Sequence, residues 1–108
     1  MSDMNDRERA FENRFARDAE VQFRVTARRN KLVGHWAAAK MNLTAEETDA
    51  YAKSVVAADF EEAGDEDVVR KLLGDLTSAD VDVTEADIRV ALEEHMVEAR
   101  RQFMEENG

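Results

Sequence analysis

Apolar side chains recur at helical spacing through most of the chain, and the longest such stretch covers residues 6–40. It contains no proline and one glycine, Gly34, so it is predicted to be helical. Two apolar stripes follow each other, the first made of Phe11 and Phe15 and the second of Val21, Val25, Leu32, Trp36 and Ala39. At about 100° per residue, the second stripe lies roughly 80° around the helix from the first. Because one core cannot easily bury both, we expect the second stripe to pack on the protein and the first to lie on an arm.

Three further helices are predicted from their caps and periodicity. Thr44 and Glu47 match a capping box, which starts a helix over about 45–62 that should stop at Ala63 and Gly64. Asp65 is expected to cap a helix over about 66–77, and Thr84 a last helix over about 85–105. The predicted inward residues are Tyr51, Ala52, Val55, Val56 and Phe60 on the second helix; Val68, Val69, Leu72, Leu73 and Leu76 on the third; and Ile88, Leu92, His95, Met96, Ala99 and Phe103 on the fourth.

The pattern predicts an all-α protein, a four-helix bundle with a flexible N-terminal arm continuous with the first helix. The bundle would span residues 20–108, with its first helix over about 20–41. The arm, residues 1–19, is too short and too polar to be stably helical alone, so we expect it to be partly disordered when free and to fold on binding. Residues 81–83 alternate like a strand, but three residues without a partner do not form a sheet.

Composition limits the class of protein. The chain has 108 residues and no cysteine, which suits a single domain without disulfides or thiolate metal sites. No apolar run approaches the ~20 residues that span a bilayer, and the N-terminus lacks the layout of a secretory signal. We therefore expect a soluble cytoplasmic protein without direct membrane insertion, monomeric when free.

Charge is distributed unevenly along the chain. Residues 1–31 contain eight basic and six acidic side chains, whereas residues 32–108 contain seven basic and nineteen acidic ones. Most of the surface should therefore repel nucleic acid, and a protein partner for the mixed-charge arm is favoured. A local site for an anion or nucleotide is predicted at Arg24, Arg28, Arg29 and Lys31.

The aromatic side chains of the arm are its candidate binding residues. Phe11 and Phe15 are large apolar groups on an otherwise polar segment, so they either fold back on the bundle or anchor the arm in a groove of a partner. In the second case Arg7, Arg14 and Arg17 would contribute bidentate contacts at the rim.

Catalytic and metal-binding patterns are weak. The acidic run over residues 59–67 fails as an EF-hand, because the twelfth position from Asp59 is Arg70 instead of glutamate. His35 and His95 could meet across the bundle, but single histidines on apolar faces are more often core residues than metal ligands. Trp36 and Tyr51 are predicted core anchors. Without a nucleophile elbow, a P-loop or a dinucleotide-binding glycine pattern, we predict neither an enzyme nor a required cofactor.

Three blocks of sequence, DRERAFENRFARDAE, ARRNKLVGHWAA and AYAKSVVAADFEEAGDEDVVRKL, resemble the zeta subunit family, the α-proteobacterial inhibitor of the F-type ATP synthase. The resemblance implies a bundle whose N-terminal arm enters the catalytic head at an interface of the alpha and beta subunits beside gamma, becomes helical there and blocks ATP hydrolysis. It also implies weak binding of ADP or ATP and a location at the inner membrane through the synthase. The matching arm positions are Asp6, Arg7, Glu8, Ala10, Phe11, Glu12, Phe15 and Ala16.

Two other functions fit the same sequence. One is a small helical module that senses adenine nucleotides, for which tight nucleotide binding would be diagnostic. The other is a structural assembly subunit, which would leave ATP hydrolysis unchanged when added to the catalytic head.

Overall fold

A computed structural model describes residues 19–59 and 64–107. Over these residues the chain forms four helices and no strand: α1 (Ala19–Lys40), α2 (Ala45–Ala58), α3 (Glu66–Ser78) and α4 (Glu85–Asn107). The predicted all-α four-helix bundle is confirmed. The predictions for the arm, including Phe11 and Phe15, and for Phe60 lie outside the described residues.

Two threonine caps fix the starts of α2 and α4. Thr44 Oγ1 accepts a hydrogen bond from the Glu47 N–H at 3.1 Å, and Glu47 Oε1 accepts one from the Thr44 N–H at 2.9 Å. Thr84 and Asp87 exchange the same two bonds, at 3.1 and 2.9 Å. Each pair satisfies two backbone donors that the first helical turn leaves unpaired, so both predicted caps are confirmed.

The bundle buries two apolar clusters along α1. The larger lies between the second half of α1 and the other three helices, and its members are Val33, Ala37, Val55, Val68, Val69, Leu72, Leu76, Ile88, Ala91 and Leu92. The smaller joins the first half of α1 to the second half of α4 through Val25, Ala99 and Phe103. Both α1 and α4 contribute to the two clusters, and α1 packs against each of the other three helices.

The predicted inner stripe of α1 is wrong in part. Ala39 is exposed, Leu32 and Trp36 are only partly buried, and the fully buried residues include Val33 and Ala37. Small side chains decide the packing face: a Cβ added to Gly34 would lie 2.7 Å from the Cα of Ala52 on α2. A stripe chosen by large apolar residues therefore missed the face on which the two helices approach most closely.

The observed packing face of α1 changes its relation to the stripe of Phe11 and Phe15. Val33 follows Phe15 by about five turns of an ideal helix, so the observed buried face and Phe15 share one phase. The change of stripe consequently does not separate an arm from the bundle, and the assignment of an arm rests on the polar composition of residues 1–19 and on the resemblance.

The predicted end of the second helix is also corrected. α2 ends at Ala58 with Asp59 as its C-cap, instead of continuing to 62. Gly64 does adopt the left-handed conformation expected of it, with φ of 88°. It lies in the connection to α3, where residues with a Cβ would be strained.

None of the helices in residues 19–59 and 64–107 combines the length and the apolar composition that crossing a bilayer requires.

Candidate functional site

A buried polar pair interrupts the apolar face of α1 between its two clusters. Arg29 is 3% exposed and Asn30 is fully buried. Arg29 donates to Asn30 Oδ1 from Nε at 3.0 Å and from Nη2 at 2.7 Å. Nη2 also donates to Asp65 Oδ1 at 2.9 Å, across to the residue that precedes α3. The guanidinium thus ties the middle of α1 to the connection between α2 and α3, and its burial requires that pairing.

Three aspartates surround this pair. Burial raises the pKa of Asp59, whereas a hydrogen bond from the Asn30 side chain and the positive charge of Arg29 lower it. The negative charges of Asp65 and Asp67 raise it further. Asp67 is 8% exposed and pairs with Arg70 at 3.0 Å, although its Oδ2 has no hydrogen-bond partner. The region around Arg29 therefore carries more negative than positive charge.

An open cleft of about 400 Å³ lies beside this cluster, between the first half of α1 and the end of α2. The described residues that line it include Ala19, Phe23, Thr26, Asn30, Val56, Asp59 and Asp65. Phe23 is 52% exposed, which is unusual for a large aromatic side chain. The cleft combines an apolar wall with two carboxylates.

The four predicted anion-binding residues all lie on α1, and three of them pair with carboxylates. Arg24 pairs with Glu20 at 2.7 Å on the exposed surface of α1, and Arg28 pairs with Glu106 of α4 at 2.7 Å. Arg29 is buried and paired with Asp65, and Lys31 is exposed. Three of the four charges are thus already balanced by carboxylates, which reduces the positive charge available to an anion. Nucleotide binding at these residues stays a prediction.

The histidines do not form a pair. His35 is exposed, whereas His95 is partly buried, with Nδ1 2.7 Å from the Ala91 carbonyl oxygen and its ring 6.3 Å from that of Trp36. Within the described part of the chain, no group of three or more His, Asp or Glu side chains could hold a metal ion.

The two predicted aromatic anchors lie at the edge of the larger apolar cluster. Trp36 and Tyr51 are partly buried and pack against it. The Tyr51 hydroxyl donates to Asp75 Oδ2 at 2.8 Å.

Sequence reasoning missed most of this site. Asp65 stands at the predicted N-cap position of α3, but its side chain makes no capping bond and instead accepts from Arg29. Asn30, Asp59 and Asp67 were not predicted to face Arg29. The available signal was the adjacent polar pair at positions 29 and 30, which lies inside the apolar repeat of α1 between Val25 and Val33.

The residues predicted to contact a partner lie before Ala19, outside the described residues. They are Asp6, Arg7, Glu8, Ala10, Phe11, Glu12, Arg14, Phe15, Ala16 and Arg17. In the sequence they come before Ala19, where α1 begins.

Comparison with known proteins gives a consistent result. A family model described as ATPase inhibitor subunit zeta matches residues 1–102. A protein whose structure was solved by solution NMR is 49% identical in sequence to this chain. The match covers 79% of this chain and 96% of the other chain, with a TM-score of 0.70. A search of curated proteins found no match. Since the family match includes both the N-terminal segment and nearly the whole bundle, the chain belongs to the ATPase inhibitor subunit zeta family.

Proposed function

We propose that this protein inhibits the F-type ATP synthase by inserting residues 1–19 into a catalytic interface of the head, where the segment blocks ATP hydrolysis. The observation that carries the proposal is the extent of the family match, which starts at residue 1 and runs through the bundle to residue 102. A match confined to the bundle would support a shared fold, whereas this match includes the segment assigned to inhibition.

The bundle supports this role as a rigid base for the arm. α1 is held along its length by the larger apolar cluster, the smaller one and the Arg29–Asp65 ion pair. The arm ends at Ala19, the first residue of α1, so a fixed α1 would set the point and direction from which the arm leaves the bundle. Holding one end in place lowers the ordering cost of binding.

Within the arm, we assign affinity to the rings of Phe11 and Phe15 and steering to Arg7, Arg14 and Arg17. Aromatic anchors in a desolvated groove commonly dominate binding energy, and charges at the rim mainly change the rate of association. The partner in this proposal is the interface that the alpha, beta and gamma subunits form in the head.

The direct test is ATP hydrolysis by the isolated catalytic head with increasing amounts of purified protein. The full chain should lower the rate in a saturable way, and a protein that starts at Val21 should fold cooperatively yet leave the rate unchanged. Equal inhibition by both proteins would exclude the arm as the inhibitory segment, and inhibition by neither would support a structural assembly subunit.

A further inference from the structure

The outer face of α4 carries a line of apolar side chains. Val90 is 52% exposed, Val97 is 65% exposed and Met104 is partly buried. Successive members are seven residues apart, which is close to two helical turns, so the three follow one another along the helix. The buried residues Ile88 and Ala99 lie on the opposite side of α4, where the other described helices pack. Apolar residues at this spacing on an outer face are typical of a surface that packs on another helix.

Charged side chains flank this line in an order that reverses at Val97. Glu93 and Glu94 lie about one turn before Val97, and Arg100 and Arg101 lie about one turn after it. All four residues are exposed. The outer face therefore has an acidic half and a basic half, with Val97 at the boundary between them.

Helix geometry places each of these glutamates on the same side of the apolar line as one arginine. At about 100° per residue, a separation of seven residues falls only about 20° short of two complete turns. Glu93 and Arg100 consequently lie on one side of Val97, and Glu94 and Arg101 lie on the other. A second copy of α4 that runs in the opposite direction would set acidic against basic residues on both sides.

We propose that the protein forms a symmetric dimer, in which the outer face of α4 packs antiparallel against the same face of a second copy. A two-fold axis at Val97 brings the two Val97 side chains together and sets Val90 of each copy against Met104 of the other. The same axis sets the acidic half of each face against the basic half of the other. A parallel arrangement would set the acidic halves against each other, so the charges select the antiparallel one.

The dimer is expected to be weak. One helix face from each copy buries less surface than the roughly 1,600 Å² of a standard interface. Arg101 is already bonded to Glu98 and Glu105 of its own helix, and the net charge of −10 opposes association, so the ion pairs contribute more to orientation than to affinity. Dimers should therefore become abundant between about 0.1 and 1 mM, and the monomer expected from the sequence should prevail at lower concentrations.

The outer face belongs to α4, whereas the arm precedes α1. The dimer is therefore a property separate from the inhibitory action of the arm, and its loss should leave inhibition unchanged.

Sedimentation equilibrium of the full chain from about 10 μM to 1 mM measures the association. The mean mass should rise with concentration from that of one chain towards that of two. A mass that stays at one chain up to 1 mM would overturn the dimer, and a mass that continues to rise beyond two chains would contradict the closed two-fold arrangement.

A charge at the two-fold axis tests the position of the contact. Val97→Asp places two like charges against each other and should weaken association at least tenfold. Ala50→Asp adds the same charge at an exposed position of α2 and should leave association nearly unchanged. Equal weakening by the two substitutions would reduce the effect to net charge and contradict a contact at α4.

Exchange of charges tests the antiparallel order. Glu93→Arg with Glu94→Arg sets arginines against arginines and should weaken association at least tenfold. Adding Arg100→Glu and Arg101→Glu to the same chain should restore it, because acidic and basic halves then face each other again. The fourfold variant should associate with itself but not with the unchanged protein, and preferential pairing with the unchanged protein would show a parallel dimer. If the fourfold variant fails to fold, the comparison of Val97→Asp with Ala50→Asp still decides.

A last variant distinguishes the second copy of α4 from the arm as the occupant of the outer face. Phe11→Ala with Phe15→Ala in the full chain should leave self-association unchanged. Weakening by tenfold or more would show that the aromatic residues of the arm form the contact, which would overturn the assignment to two copies of α4.

Discussion

Arg29 Nη2 lies 2.9 Å from Asp65 Oδ1, and this ion pair joins the buried middle of α1 to the residue that precedes α3. The Arg29 side chain is 4% exposed and that of Asp65 is 43% exposed. The buried positive charge of Arg29 therefore depends on the Asp65 carboxylate for its neutralisation.

We expect Asp65→Asn to lower the free energy of unfolding by about 1–3 kcal/mol, less than for a fully buried pair because water reaches Asp65. Asp49→Asn is the control, since it breaks the exposed Lys53–Asp49 pair on α2, and should change stability by no more than about 0.5 kcal/mol. Urea unfolding measures both. If both substitutions changed the free energy of unfolding by the same small amount, the Arg29–Asp65 pair would stabilise the fold no more than an exposed ion pair does.

The contact between Gly34 and Ala52 sets the distance between α1 and α2. A Cβ at position 34 would meet backbone instead of a flexible side chain, so Gly34→Ala should destabilise the protein by about 1–3 kcal/mol despite the better helix propensity of alanine. Gly74→Ala on α3, where a Cβ would meet nothing within 4 Å, should stabilise it by up to about 1 kcal/mol. Thermal unfolding of the two variants gives the comparison, and a stabilising Gly34→Ala would refute the close approach of the helices.

Asp59 makes stability depend on pH in a defined direction. Burial raises its pKa above the ordinary value of 3.8, so the folded state holds the proton more tightly than the unfolded chain does. The resulting stabilisation is fully present below pH 3.8 and is lost as the pH rises through the folded-state pKa. As the pH rises from 3.5 to 7, the free energy of unfolding of Asp59→Asn should therefore increase relative to that of Asp82→Asn. Urea unfolding at each pH measures both. A loss over the same range would mean that the ionised carboxylate is the favoured form in the fold.

Glu98 on α4 shows the opposite effect. Hydrogen bonds from Arg101 and Gln102 lower its pKa to about 2 from 4.5. Its contribution to stability is thus present above pH 4.5 and is lost as the pH falls towards 2. In a ¹³C NMR titration, Arg101→Gln should raise the pKa of Glu98 towards 4.5, whereas Lys53→Gln on α2 should leave it near 2. An unchanged value in Arg101→Gln would exclude the guanidinium as the main cause.

The fold was predictable because its signals are local. The Thr44–Glu47 cap, the Thr84 cap and the leucine and valine spacing of α3 depend on neighbouring residues, and each appears in the structure as expected. The packing face of α1 could not be predicted in the same way, because it consists of small residues such as Gly34 and Ala37 beside a polar pair. Their burial is decided by how closely α2 approaches, which a hydrophobicity pattern does not record.

The candidate site was harder to predict for the same reason. Asp65 has the sequence context of an N-cap, and a cap satisfies a local donor, but the buried guanidinium of Arg29, far away in sequence, competes for the same carboxylate. The cost of leaving a buried charge unpaired exceeds the gain from one cap, so the distant interaction prevails.

We place the anchors of the arm at Phe11 and Phe15, and the concentration of protein that halves ATP hydrolysis by the isolated head tests this assignment. Phe11→Ala with Phe15→Ala should raise that concentration by a factor of ten or more, since each truncated anchor commonly costs above 1 kcal/mol. The control, Val90→Ala with Val97→Ala, removes two exposed apolar side chains from α4 and should leave it unchanged. Unaltered inhibition by the double phenylalanine variant would contradict the account.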